Sequence, residues 1–162
     1  MFKGSERLRE LVRENTVLRA YLLFLYIAHI VQEYANDHLY RQVGISEVQY
    51  RALGHIVING GSIRPSELSK QLSRVQHNTT TLIDRLRAGG LVTTERDNGD
   101  RRYVNINVTD KGREVYIKTY PVAIEIVNQV MSSISEEDAV KLEELLSVIE
   151  QNILGDDLLP EK

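Results

Sequence analysis

Between Val17 and Val31 apolar side chains fall on nearly every face of a 3.6-residue period, with Leu18, Tyr21, Leu22, Phe24, Leu25, Tyr26, Ile27 and Ile30 among them. Neither proline nor glycine interrupts residues 5–38, so the pattern predicts one long helix there. A helix that is apolar all round must be covered on more than one side, and in a chain of 162 residues a partner subunit is the expected cover. Ser46-Glu47-Val48-Gln49 reads as the capping box of a second helix, with Leu53, Ile56 and Val57 inward and Asn59-Gly60-Gly61 ending it. Pro65 suits the first turn of a third helix, where its missing N–H would be unpaired anyway. In a fourth helix Val75, Thr79, Leu82, Ile83 and Leu86 share one stripe and should pack inward. That leaves Gln76, His77, Asn78, Thr80, Thr81 and Arg85 facing away, with Gln76 the best cap and Gly89 or Gly90 closing the helix.

The period then changes from 3.6 to 2. Val104, Ile106 and Val108 alternate with Asn105 and Asn107, so residues 91–95 and 103–108 read as short strands. Asp97-Asn98-Gly99-Asp100 between them is a hairpin turn signal. Thr109 caps a fifth helix running to about Ser133, and Ser135 with Asp138 caps a sixth running to about Leu154. The sixth carries an apolar stripe of Val140, Leu142, Leu145, Leu146, Ile149 and Ile153. The fold class is therefore mainly α with a small β wing.

Composition narrows the function classes. An apolar share of 42% supports a core, and 27% charged residues with only 3 prolines argues against disorder. The chain has no cysteine, which excludes disulfides, thiolate zinc sites and thiol redox sensing. The longest apolar stretch, Ala20 to Val31, contains His29 and is too short to span a bilayer, so a cytoplasmic protein without a membrane partner is expected. The net charge of −3 is unevenly spread: residues 64–102 hold eight basic and five acidic groups, while the rest of the chain is acidic. Positive charge thus gathers on the third helix, the fourth helix and the hairpin, as a nucleic-acid footprint does.

A short helix, a tight turn and a second helix with small polar groups outward are what a duplex major groove accepts. Gln76, His77, Asn78, Thr80 and Thr81 supply amide, imidazole and hydroxyl groups that can address base edges. Arg74 and Arg85 suit phosphates, which position without specifying, although Arg85 could instead pair with Asp84 or a carboxylate of the hairpin. Ser66 and Lys70 can reach the backbone from the third helix. On the hairpin, Arg96, Arg101 and Arg102 suit phosphates or a narrow minor groove. Asp100 and Arg102 lie two apart, so an extended tip turns both to one side, and the carboxylate can hold the guanidinium in a fixed pose. The competing reading is a surface ion pair of little worth.

With these residues in view the chain resembles the multiple-antibiotic-resistance regulator (MarR) family over residues 15–154. The resemblance rests on Asp100-Arg101-Arg102 followed by a strand and Val108-Thr109-Asp110-Lys111-Gly112, where the family shows Asp-x-Arg and then Leu-Thr-x-x-Gly. Leu82-Ile83-Asp84-Arg85-Leu86 with Gly90-Leu91-Val92 adds a second match, whereas Arg64 before Pro65 departs from the usual Ser or Thr. The resemblance implies one domain over residues 1–162, with a winged helix-turn-helix at 46–108 and dimerisation helices at 5–38 and 110–154. It further implies a homodimer on a pseudo-palindromic operator, usually a repressor, released by a small phenolic or anionic effector.

Tyr26, Tyr34 and Tyr50 are the residues that could line an aromatic effector pocket, with core and interface packing as the competing role. His29, His38 and His55, even with Glu33 or Asp37, match no metal-ligand spacing, so neither a metal nor another cofactor is expected. No cysteine nucleophile, glycine-rich phosphate loop or plausible Ser-His-Asp set is present, which argues against an enzyme. The alternative to a sequence-specific regulator is an architectural, nucleoid-associated DNA binder of low specificity. A degenerate winged helix used for protein interaction is disfavoured by the intact hairpin arginines.

Overall fold

The computed structural model describes residues 12–72, 76–96 and 104–155. The first long helix, α1 (Thr16–Val43), starts later and runs further than the apolar pattern indicates. Residues 12–14 make a helical turn, but Asn15 breaks it by leaving the helical region, and its side chain accepts the Leu18 N–H at 2.9 Å as an N-cap. At the far end Leu39 is buried and holds the helix on the protein for another turn until Gly44, whose φ of 78° ends it. The second helix, α2 (Glu47–Ile58), opens with the expected capping box between Ser46 and Gln49. It buries Ala52, Leu53 and Ile56 completely.

Two residues not read as a strand follow. β1 (Ser62–Ile63) pairs antiparallel with β3 (Val104–Val108), placing Ile63 opposite Ile106, and β3 pairs on its other edge with β2 (Val92–Arg96). The sheet order is β1-β3-β2, with β3 central. Between β1 and β2 stand α3 (Pro65–Gln71) and α4 (Gln76–Ala88). α3 has Pro65 at its first position, while Arg64 occupies the cap without a side-chain cap bond. Gln76 is the first residue of α4 itself, not its cap. Leu68, Leu72, Leu82, Leu86, Val92 and Ile106 close one core beneath the two short helices, together with the buried residues of α2.

Chain beyond the sheet returns to the long helices. Thr109 caps α5 (Asp110–Val130) by accepting the Gly112 N–H, and Ser135 caps α6 (Glu136–Gly155) by accepting the Asp138 N–H. α5 packs against α1 and α2, whereas α6 stands largely apart from the other elements. The all-round apolar character of α1 survives folding of the single chain: Tyr21, Leu23, Leu25 and Tyr26 all stay exposed. Ile117, Val127, Leu145 and Val148 on α5 and α6 are exposed as well. A surface this apolar signals an interface, because scattered single hydrophobics do not accumulate along three helices. Among the described residues no helix is long and apolar enough to cross a membrane.

Candidate nucleic-acid interface

α4 separates into two faces. Thr79, Leu82, Ile83 and Leu86 are buried, while Thr80, Thr81, Asp84, Arg85 and Arg87 are exposed. The spacing is that of an amphipathic helix, so the core stripe fixes which way the polar face looks. Among the expected base-reading residues, Thr80 and Thr81 lie on that outer face. Gln76, His77 and Asn78 belong to the first turn of the same helix, but their side chains lie outside the described residues. Asp84 pairs with Arg87 at 3.0 Å instead of with Arg85. This leaves Arg85 exposed on the outer face without an ion pair among the described residues. The Asp84–Arg87 pair is more than half exposed, so it orders the surface without much stabilising it.

The supporting helix α3 turns Leu68 into the core and leaves Ser66, Glu67 and Lys70 exposed. Its C-terminal end is tied to α2, where the Asn59 side-chain amide donates to the His55 carbonyl at 2.8 Å and to Gln71 Oε1 at 3.2 Å. Arg74, which follows α3 and precedes α4 in the chain, lies outside the described residues.

The hairpin is in register from Val92 opposite Val108 to Arg96 opposite Val104. Arg96 is exposed at the last pair, so the two strands deliver the chain to a connection containing Asp100, Arg101 and Arg102. Those three residues lie outside the described part. Along the strands the Asn107 amide donates to Glu95 at 3.4 Å, which places polar groups on the exposed side.

The three tyrosines expected near an effector have separate neighbours. Tyr26 lines a groove of about 610 Å³ with Val12, Thr16, Arg19 and Leu23. Tyr34 donates to Gln129 of α5 and packs on His38 with ring centres 5.4 Å apart. Tyr50 stacks on Tyr116, also at 5.4 Å, where burial and then the neighbouring Tyr116 and Tyr120 hydroxyls push its pKa up. One turn along α2, His55 is held below the ordinary histidine value by burial and then by Arg51. Among the described residues no cluster of three metal-ligating side chains occurs. A larger cleft, about 740 Å³, runs between Phe24, Met131 and the apolar side of α6.

Sequence reasoning passed over Lys111 and the contact it makes. Its ammonium donates to the Gly89 carbonyl at 2.7 Å and so reaches from α5 to the end of α4. The signal available in the chain was a cation in the first turn of a helix, where it is electrostatically misplaced.

Comparison with known proteins agrees with this geometry. Residues 43–102 match the model of the MarR family, a span that runs from the end of α1 past the end of β2. The transcriptional repressor MprA of Escherichia coli is 31% identical over 111 residues, an overlap of 68% of this chain and 63% of that protein's length. The MarR family regulator Sco3205 of Streptomyces coelicolor, solved in complex with DNA, superposes with a TM-score of 0.79 at 22% identity over 86% of this chain and 89% of its own. The organohalide-sensing regulator RdhR, solved with 2,4-dichlorophenol bound, gives a TM-score of 0.79 at 18% identity over 86% and 82% of the two chains. With its two short helices, its antiparallel hairpin strands and its long flanking helices, the chain belongs to the MarR family.

Proposed function

We propose that this protein is a sequence-specific double-stranded DNA-binding transcriptional regulator that acts as a homodimer on a pseudo-palindromic operator. The observation that carries the reading is α4: a buried stripe of Thr79, Leu82, Ile83 and Leu86 fixes the helix, and Thr80, Thr81 and Arg85 stand on its outer face beside the hairpin. Small hydroxyls can enter a groove and touch base edges, while Arg85 and Arg96 suit phosphates. Ser66, Arg74, Gln76, His77, Asn78, Asp100, Arg101 and Arg102 complete the proposed surface. The DNA complex of Sco3205 supports the reading by fold.

The dimer part rests on the exposed apolar faces of α1, α5 and α6 and on the cleft beside Phe24 and Met131, which a second copy would fill. Repression follows the naming of MprA, and release by a phenolic or anionic effector follows the ligand of RdhR. Tyr26, Tyr34 and Tyr50 are the proposed effector contacts.

Selection of the protein's preferred duplex from a random-sequence pool, followed by titration against that duplex and a scrambled one, tests the reading. We expect at least about a thousandfold preference, the low end for specific binders. Equal affinity for both duplexes would replace it with an architectural DNA binder. Light scattering of the chain lacking residues 134–162 tests the dimer: loss of the dimer is expected, and an intact dimer would refute the role of α6.

A further inference from the structure

Just past the end of α4, three successive carbonyls lie beyond the helix's own hydrogen-bond pattern. The backbone closes by the two bonds of a Schellman turn, from Leu91 N–H to the Leu86 carbonyl and from Gly90 N–H to the Arg87 carbonyl, both at 2.9 Å. Gly90 takes the left-handed φ of 70° that this turn requires. The carbonyls of Gly89, Gly90 and Leu91 then point onward. Each is met from the start of α5: Lys111 Nζ donates to Gly89 at 2.7 Å, Thr109 Oγ1 to Gly90 at 2.8 Å, and the Thr109 N–H to Leu91 at 3.1 Å. Gly112 completes the contact, because a Cβ there would overlap the Leu91 carbonyl. Absence of a side chain is what lets the two turns touch.

Lys111 gives this arrangement its meaning. It occupies the second position of α5, where a cation opposes the positive end of its own helix. At the same place its ammonium faces the negative end of α4. The residue is unfavourable for the helix that carries it and favourable for the one it touches. Since α5 packs on α1 and α2, anything fixed to the start of α5 is fixed to the body of the protein.

We infer that Lys111 is a positioning residue which, with Thr109, locks the C-terminal end of α4 to α5 and so sets the angle at which α4 is presented. This rests on the reading of α4 as the DNA-recognition helix, but the lock itself can be tested without DNA.

The chain contains no cysteine, so a pair introduced at Thr81 and Lys118, both exposed, can be spin-labelled cleanly. Dilution with unlabelled chain restricts the reading to distances within one chain. Thr81 lies seven residues before the end of α4, about 10 Å along the axis, so a tilt about the locked end is amplified there. Lys111→Met keeps the apolar stem and removes the donor, whereas Lys111→Arg keeps a donor. Because Lys111 is exposed, both variants should fold. The expected result is a broadened label distance in Lys111→Met and a narrow one in wild type and Lys111→Arg. In titrations of the selected duplex, Lys111→Met should bind roughly threefold or more weakly, a loss of the size of one helix-terminus charge contact, with Lys111→Arg restoring affinity. An unchanged distance distribution in Lys111→Met overturns the lock. Failure of the wild-type chain to bind any duplex would overturn the DNA-binding reading instead, while the label distances still judge the lock.

Discussion

Thr79 holds a hydroxyl in the core with nothing to bond to among the described residues, and replacing it should stabilise the protein. The side chain is 1% exposed on the inner face of α4, and its Oγ1 has no hydrogen-bond partner among the described residues. A buried polar group left unsatisfied costs about 1–3 kcal/mol. Thr79→Val exchanges that hydroxyl for a methyl of nearly the same size in the same β-branched frame, and the two residues have similar helix propensities. The expected gain is therefore about 1–3 kcal/mol, since the packing lost is small and the desolvation penalty disappears. For a chain of this length each kcal/mol moves the melting temperature by roughly 2–4 °C. Thermal unfolding followed by circular dichroism, at one fixed protein concentration, measures it. Thr79→Ser is the control: it keeps the hydroxyl, drops a buried methyl, and should melt below wild type. An unchanged or lower melting temperature for Thr79→Val would show that the hydroxyl is bonded in the folded protein, and the argument from an unpaired group would fail.

Two glycines should respond differently to alanine. Gly44 has a φ of 78° and open space around a Cβ, so Gly44→Ala should cost about 1 kcal/mol from backbone strain alone. Gly112→Ala must instead push α5 off the Leu91 carbonyl, so it should cost several kcal/mol, and urea unfolding of both variants measures the contrast. His55 has a depressed pKa in the folded chain, so below the ordinary value of 6.5 the unfolded chain takes up its proton first. Stability should fall as pH drops through that value and level off below the folded pKa, and His55→Gln should flatten the urea midpoint over the same range. Thr80→Ala should cost about 1–3 kcal/mol on the selected duplex and much less on a scrambled one, as read by titration. Arg102→Ala should weaken both alike and reduce the slope of log affinity against log salt by about one unit.

Much of this fold was legible because its periods are clean. The capping box at Ser46 and Gln49, the Thr109 and Ser135 caps and the inward stripe of α4 all follow from side-chain chemistry within four residues. The errors arose where distant contacts decide, and at one local cap set inside a continuous helical pattern. Leu39 extends α1 because a tertiary core buries it, and Asn15 starts the helix by a cap that a uniformly helical pattern conceals. β1 is two residues long and exists only because β3 lies beside it, so no alternation could announce it. At the site, the outer face of α4 could be read from its inner face. The bond from Lys111 to Gly89 spans 22 residues and needed the structure.

The isolation of α6 has a consequence for how the protein accumulates. A helix of 20 residues with exposed Leu145, Val148 and Ile149 is marginal on its own in water, and its chain offers it little support. If a second copy covers it, as in the proposed dimer, folding becomes bimolecular. The competent population then rises with the square of the free chain concentration when chain is scarce. In that case chain diluted below the threshold exposes its hydrophobic helices, and scarcity itself shortens its life. If the proposed dimer forms, such a chain acts as a threshold on its own abundance, before any operator or effector is involved.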